Sequence, residues 1–95
     1  MTARIAGIEF DRASYDAEAD VLYLHVGDPE DAVDFDASSE GHALRYDTRD
    51  RLVGITILNA RSTLEQSGSV AITTPGGRLE ATREQLAPVL VSRAA

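Results

Sequence analysis

The sequence predicts a small α+β protein, in which an antiparallel β-sheet built from hairpins is accompanied by a short helix and a C-terminal helix. Two similar segments, residues 15–26 and 45–58, carry most of this prediction. In each, an aromatic residue and Asp lead through a short charged turn into an apolar run, as in a hairpin. The 95 residues are expected to form a single domain, 1–95.

The first hairpin begins where apolar Ile8 and Phe10 alternate with acidic residues, which predicts a strand that ends near Tyr15. Residues 16–20 are a polar turn, because Asp side chains bond nearby backbone amides. Residues 21–26 form the second strand. Its two-residue period predicts Leu22, Leu24 and Val26 on the core face, and Val21, Tyr23 and His25 on the opposite face.

Residues 28–40 contain six acidic residues and no basic residue. Like charges repel, so a solvated loop is expected, with a short edge strand at 32–36. The spacing of oxygen-bearing side chains in this loop superficially resembles a calcium loop. However, Ser39 and Arg45 stand where that motif requires Gly and a bidentate Glu, so specific calcium binding is not expected.

The second hairpin is predicted from residues 42–47, a turn at 48–50 and the strongest strand of the chain, 52–58. Gly54 inside that strand predicts a bulge or the close approach of another backbone. The alternation places Leu44 and Tyr46 on one face of their strand, and Val53, Ile55 and Ile57 inward.

The C-terminal part is predicted to contain a helix, a strand and a second helix, the last two within residues 69–93. Ser62 and Glu65 have capping-box spacing, so a short helix is expected to start there and to stop at Gly68. Residues 70–74 form a strand that ends at a Pro-Gly-Gly turn. Thr82 and Gln85 form another capping-box pair, so a terminal helix is expected over 83–92. Its apolar stripe consists of Leu86, Val89 and Leu90. Pro88 within it would weaken this helix or move its start.

Composition limits the functions that the chain can have. There is no cysteine, which excludes disulfides and thiolate chemistry. The formal net charge is −7, and the nine basic residues are scattered arginines, so direct binding to nucleic acid is not expected. No apolar run approaches the length of a membrane span and no signal peptide is visible. The expected location is the cytoplasm, and no membrane partner is expected.

Two histidines, His25 and His42, are the first candidates for chemistry because imidazole titrates near neutral pH. If their strands are neighbours, they could bind a divalent ion together with an acid of the loop. The competing interpretation is a pair of exposed or dimer-facing histidines on the polar sheet face. No serine has a local base and no phosphate loop occurs, so neither an enzyme nor a bound cofactor is expected.

The tyrosines offer a surface for a partner if they gather with His25 on one exposed face of the sheet. The acidic loop offers a second surface, suited to a basic protein. The candidate interaction residues are Tyr23, His25, His42, Asp34 and Asp36.

The two hairpin segments resemble the bacterial family known as domain of unknown function 2283. Members have a Tyr-Asp-x-x-x-Asp-x-Leu-Tyr segment, matched here by residues 15–23, and a Tyr-Asp-x-x-x-x-Leu-Val-Gly-Ile-x-Ile-Leu segment, matched by 46–58. The resemblance covers about residues 8–66. It implies a small, sheet-rich cytoplasmic fold and brings no catalytic residue.

Some domains of this kind are associated with toxin–antitoxin modules. The expected function is therefore a non-catalytic protein-interaction module, homodimeric and antitoxin-like, whose acidic surface would mask a basic toxin. The alternative is a domain that binds a small molecule or a metal through a His/Tyr sheet face.

Overall fold

The computed structural model describes residues 3–90, and it confirms the predicted α+β class. Within that range, no helix has both the length and the apolar composition needed to cross a membrane. The elements in chain order are β1 (Ala3–Ile5), β2 (Ile8–Phe10), β3 (Arg12–Asp16), β4 (Val21–His25), a 3-10 turn (Pro29–Asp31), β5 (Asp34–Ala37), β6 (Ala43–Tyr46), β7 (Leu52–Leu58), α1 (Ala60–Ser67), β8 (Ser69–Thr74), β9 (Gly77–Thr82) and α2 (Arg83–Leu86).

A five-stranded antiparallel sheet in the order β3-β4-β7-β6-β5 forms the centre of the protein. The two predicted hairpins are β3–β4 and β6–β7, and they join side by side through β4 and β7. Their turns use the predicted Asp chemistry. One oxygen of Asp16 accepts from the amide of Glu18 at 3.1 Å, and one oxygen of Asp47 accepts from the amide of Arg49 at 2.9 Å.

One face of this sheet is buried under the remaining elements. The predicted inward residues of β4 and β7 are confirmed: Leu22 and Ile57, for example, have no exposed surface. They belong to one apolar cluster with residues of α1, α2 and both two-stranded hairpins, among them Leu64, Leu86, Phe10, Val70 and Ile72. All covering elements therefore lie on the same side of the sheet.

The ends of the chain differ from the prediction. The first predicted strand is divided at Asp11, because β2 pairs with β1 in a separate hairpin while β3 joins the large sheet. Strand β9 was not predicted, since its sequence lacks a clear apolar alternation.

The predicted terminal helix is much shorter than expected. The capping box of Thr82 and Gln85 is confirmed, but α2 ends at Leu86, two residues before Pro88, which has no amide to continue the helix. Val89 and Leu90 of the predicted stripe are nevertheless buried. Residues 91–92 of the predicted helix lie outside the described residues.

Helix α1 is capped by a residue of the first hairpin, β3–β4, and the predicted cap at Ser62 is wrong. The helix begins at Ala60, after Asn59, whose side chain makes no capping bond. The carboxylate of Asp20, in the β3–β4 turn, accepts from the amides of Arg61 at 2.7 Å and Ser62 at 3.0 Å. It also accepts from the Ser62 hydroxyl and the Tyr15 hydroxyl.

These donors favour the ionised form of Asp20. Burial alone would raise its pKa, but the hydrogen bonds from Arg61, Ser62 and Tyr15 outweigh it and lower the pKa to about 2. In an unfolded chain, the pKa of an Asp side chain is about 3.9. The stabilisation is therefore fully present above about pH 4 and is lost as the pH falls through about 2.

We expect Asp20→Asn to lower the free energy of unfolding by about 1–2 kcal/mol near neutral pH, because a charged helix cap is lost. Urea unfolding followed by circular dichroism measures this difference, which should shrink as the pH falls from 4 towards 2. The control is Asp50→Asn: Asp50 has the same left-handed backbone, with φ of 59° against 56°. An equal loss in both variants would contradict the capping role.

Candidate functional site

The face of the five-stranded sheet opposite the core, called here the open face, is covered by no other described element. The strand registers arrange its residues in three rows that run across the strands. From β3 to β5, the first row is Arg12, His25, Gly54, Arg45 and Phe35; the second is Ser14, Tyr23, Thr56, Ala43 and Ala37; the third is Asp16, Val21 and Leu58.

The open face exposes large apolar side chains at several points. Phe35 is 70% exposed, Tyr23 44% and Leu58 42%. Small or apolar residues separate them, and the charges stand at the two ends of the strands: two arginines in the first row and Asp16 in the third. A solvated face of an antiparallel sheet is normally polar, so this surface has the composition of one that meets a partner.

Gly54 makes room for His25 in the first row. A Cβ at Gly54 would lie 2.9 Å from Nδ1 of His25 and 3.3 Å from Cβ of Arg45. The predicted close approach of another backbone is wrong, because the groups that approach this glycine are side chains. The predicted bulge is confirmed, because the β6–β7 register shifts between Arg45 and Tyr46.

His25 is a buried polar group without a partner. The residue is 7% exposed, and neither ring nitrogen has a hydrogen-bond partner within the described part of the chain. It lines a cavity of about 260 Å³ that opens on the open face. The other polar side chains around this cavity come from the first two rows: Arg12, Ser14, Tyr23 and Arg45.

His42 lies on the core side of the sheet, so the condition for a shared metal site, two neighbouring histidines, is not met. It is 4% exposed, and its Nδ1 accepts from the amide of Leu58 at 3.2 Å. Burial lowers the pKa of His42, against the opposing effects of Glu40 and of a hydrogen bond with the Ala71 backbone. Its interactions are those of a structural residue that joins the sheet to β8.

Asp34 and Asp36 also point away from the open face, because Phe35 and Ala37 alternate with them on β5. Both acids are exposed. The five candidate residues thus divide into Tyr23 and His25 on the open face and the remaining three on the other side. Within residues 3–90, no three His, Asp or Glu side chains are grouped so that they could hold a metal ion.

The tyrosines do not gather on one face, so the condition for a tyrosine surface is not met. Tyr15 and Tyr46 pack against the core cluster, and only Tyr23 accompanies His25. The sequence reasoning missed Arg12, Arg45 and Phe35. Alternation assigns each of them to a face of its own strand, but only the strand order brings the three into one row.

The acidic segment is more than a solvated loop. Glu40, near its end, accepts from the Thr73 amide at 2.8 Å and from the Thr73 hydroxyl at 2.6 Å. These hydrogen bonds lower the pKa of Glu40 to about 2. The segment is therefore attached to β8, while its six acids remain exposed.

Comparison with known proteins shows that the central sheet is the part of the chain that matches a family model. A family model described as Protein of unknown function (DUF2283) matches residues 12–61, a range that contains all five strands of the central sheet. No curated protein and no solved structure matches the chain.

We expect Gly54→Ala to destabilise the protein by about 1–3 kcal/mol, because the added methyl group would displace His25 or Arg45. Thermal unfolding measures the loss. In Gly76→Ala, the matched control, the nearest contact to the new Cβ is 3.8 Å and little change is expected. The double variant with Gly54→Ala and His25→Ala should recover part of the lost stability. If it does not, the contact between residue 54 and His25 is not the cause of the destabilisation.

Proposed function

The chain belongs to the DUF2283 family of proteins of unknown function, and we propose that it is a non-catalytic protein-interaction module that binds through the open face. The observation that carries this proposal is the exposure of Phe35, Tyr23 and Leu58 on a sheet face that no element within residues 3–90 covers. Aromatic anchors and arginines beside them are the residues that dominate protein interfaces.

The first occupant of the open face is a second copy of this chain. Two sheets pack face to face at about 10 Å with their strands nearly aligned. If the two-fold axis runs across the strands, β3 of one copy lies over β3 of the other in the opposite direction. The first row then faces the third row, which brings Arg12 towards Asp16 of the second copy, twice in the dimer.

The alternative axis, parallel to the strands, would place the first row against itself. Arg45 would then lie close to the first-row cations of the second copy, which like-charge repulsion disfavours. The charges at the two ends of the face therefore favour the first arrangement, in which the first row of one copy faces the third row of the other. This arrangement is called here the crossed dimer.

The size of the face predicts a dissociable dimer. Five strands at about 4.8 Å and five residues at about 3.4 Å span roughly 400 Å² in projection. A standard interface buries about 800 Å² on each partner. The open face alone is thus at the weak end of specific interfaces, and it can exchange one partner for another.

Charge exchange on β3 tests this dimer. We expect Arg12→Asp and Asp16→Arg each to weaken dimerisation by tenfold or more, because each creates two like-charge contacts. The double variant, in which the charges are exchanged, should recover most of the affinity. Sedimentation equilibrium over a range of concentrations gives the three dissociation constants.

The control is Arg49→Asp, at an exposed arginine of the β6–β7 turn that belongs to none of the three rows. Its dimer should be unchanged. A wild-type chain that stays monomeric at millimolar concentration, or a double variant no better than the single ones, would refute this arrangement.

The finer form of the proposal is an antitoxin-like role, supported by the acidic segment. Its six acids are exposed on and around edge strand β5. Such a charged edge attracts a basic protein and speeds its association. The occupant of this second surface is a basic, ribonuclease-type toxin, and the open face remains available to a second copy.

We expect Asp34→Asn and Asp36→Asn each to weaken the complex with a basic toxin encoded by the neighbouring gene by about two- to fivefold. Calorimetric titration at low and high salt measures the effect, and Glu84→Gln, at an exposed acid of α2, is the control. If the neighbouring gene encodes no basic protein, or no complex forms at low salt, the antitoxin-like form fails.

A further inference from the structure

The first row of the open face contains an arginine on either side of a histidine that has no hydrogen-bond partner among the described residues. Register pairs Arg12 directly with His25, and Arg45 lies on the far side, across Gly54. The side chain of Arg45 and the His25 ring share the space above that glycine. The three side chains line the same cavity of about 260 Å³.

The unpartnered state of His25 is unfavourable for the isolated chain. Leaving a buried polar group unsatisfied costs about 1–3 kcal/mol. A neutral imidazole always carries one N–H donor, and a protonated one carries two. No carboxylate lines the cavity to accept from His25, and Arg12 and Arg45 offer only donors.

The charge around the cavity points to the nature of that acceptor. The chain has a net charge of −7, yet the side chains that line the cavity include two arginines and no acid. Arginine binds carboxylates and phosphates with two parallel hydrogen bonds. Ser14 and Tyr23 add hydroxyl groups at the rim.

We propose that Arg12, His25 and Arg45 form an oxyanion-binding site, which takes a carboxylate or phosphate group into the cavity. The ring of His25 donates to the oxyanion, and the two guanidinium groups hold it from either side. Arg12 is exposed and Arg45 half-buried, so rotation of these side chains is enough to admit the ligand.

The oxyanion has two possible sources with the same chemistry. One is a free small molecule. The other is the carboxylate of Asp16 from a second copy, which the crossed dimer brings towards the first row. The site itself does not depend on dimerisation, and a monomeric chain would still bind a free oxyanion.

The experiment is a titration with inorganic phosphate, followed by the ring signals of the two histidines in NMR spectra at constant pH. Sodium chloride at equal ionic strength is the control for general salt effects. We expect saturable shifts of the His25 signals in phosphate alone. His42, on the other side of the sheet, is the internal control and should not respond.

Variants identify the groups that bind. Arg45→Gln and Arg12→Gln should each weaken phosphate binding by about tenfold or more, the loss expected for one charge-assisted hydrogen bond. Arg49→Gln, which removes an arginine outside the cavity, should leave binding unchanged. If Arg45→Gln fails to fold, the exposed Arg12 carries the test.

Asp16→Asn separates the two sources. Equal phosphate binding by this variant and the wild type supports a free oxyanion, whereas binding that appears only in the variant supports the carboxylate of the second copy. The proposal is overturned if neither protein shows a saturable His25 shift, or if the shift survives in both Arg12→Gln and Arg45→Gln. A monomeric chain that binds phosphate would refute the dimer and leave the site intact.

Discussion

The carboxylate of Asp20 fixes how the first hairpin, the sheet and the helix meet. It accepts from two amides at the start of α1, while the Asp20 carbonyl accepts from the amide of Ala60 at 3.1 Å. Next to it, Val21 pairs with Leu58 at the end of β7. The helix therefore leaves the sheet in a direction that carries Leu64 onto the core face. A free helix N-terminus would leave these donors unsatisfied.

This direction makes the fold one-sided. Once α1 turns towards the core face, the following hairpin β8–β9 and helix α2 continue on that side, and β1–β2 closes the same cluster. The helices and strands outside the central sheet thus all contribute apolar residues to the core face. The open face keeps Phe35, Tyr23 and Leu58 exposed because no chain within residues 3–90 is left to cover them. Its availability to a partner is thus a consequence of the connection at Asp20.

Local signals in the sequence predicted the hairpins but not their assembly. The strand Leu52–Leu58 has the predicted bounds because its β-branched run and the turn before it are local features. The cap of α1 could not be predicted, since its donor amides lie 41 and 42 residues from Asp20. Strand order is equally non-local, and without it His25 and His42 could be assigned to one face although they lie on opposite faces. β9 was missed because Leu79 and Ala81 are its only apolar residues, too few for a clear alternation.

Pairing between strands that are distant in the sequence also creates the candidate site. Arg12, His25 and Arg45 come from three strands, and they meet only because Gly54 of β7 stands between the last two. A side chain at Gly54 would separate His25 from Arg45. A glycine weakens a strand interior, so its presence in the longest strand of the sheet is explained by the side chains above it. The two hairpins thus provide the scaffold, and Gly54 of the second hairpin lets Arg12 and Arg45 converge on the buried imidazole of His25.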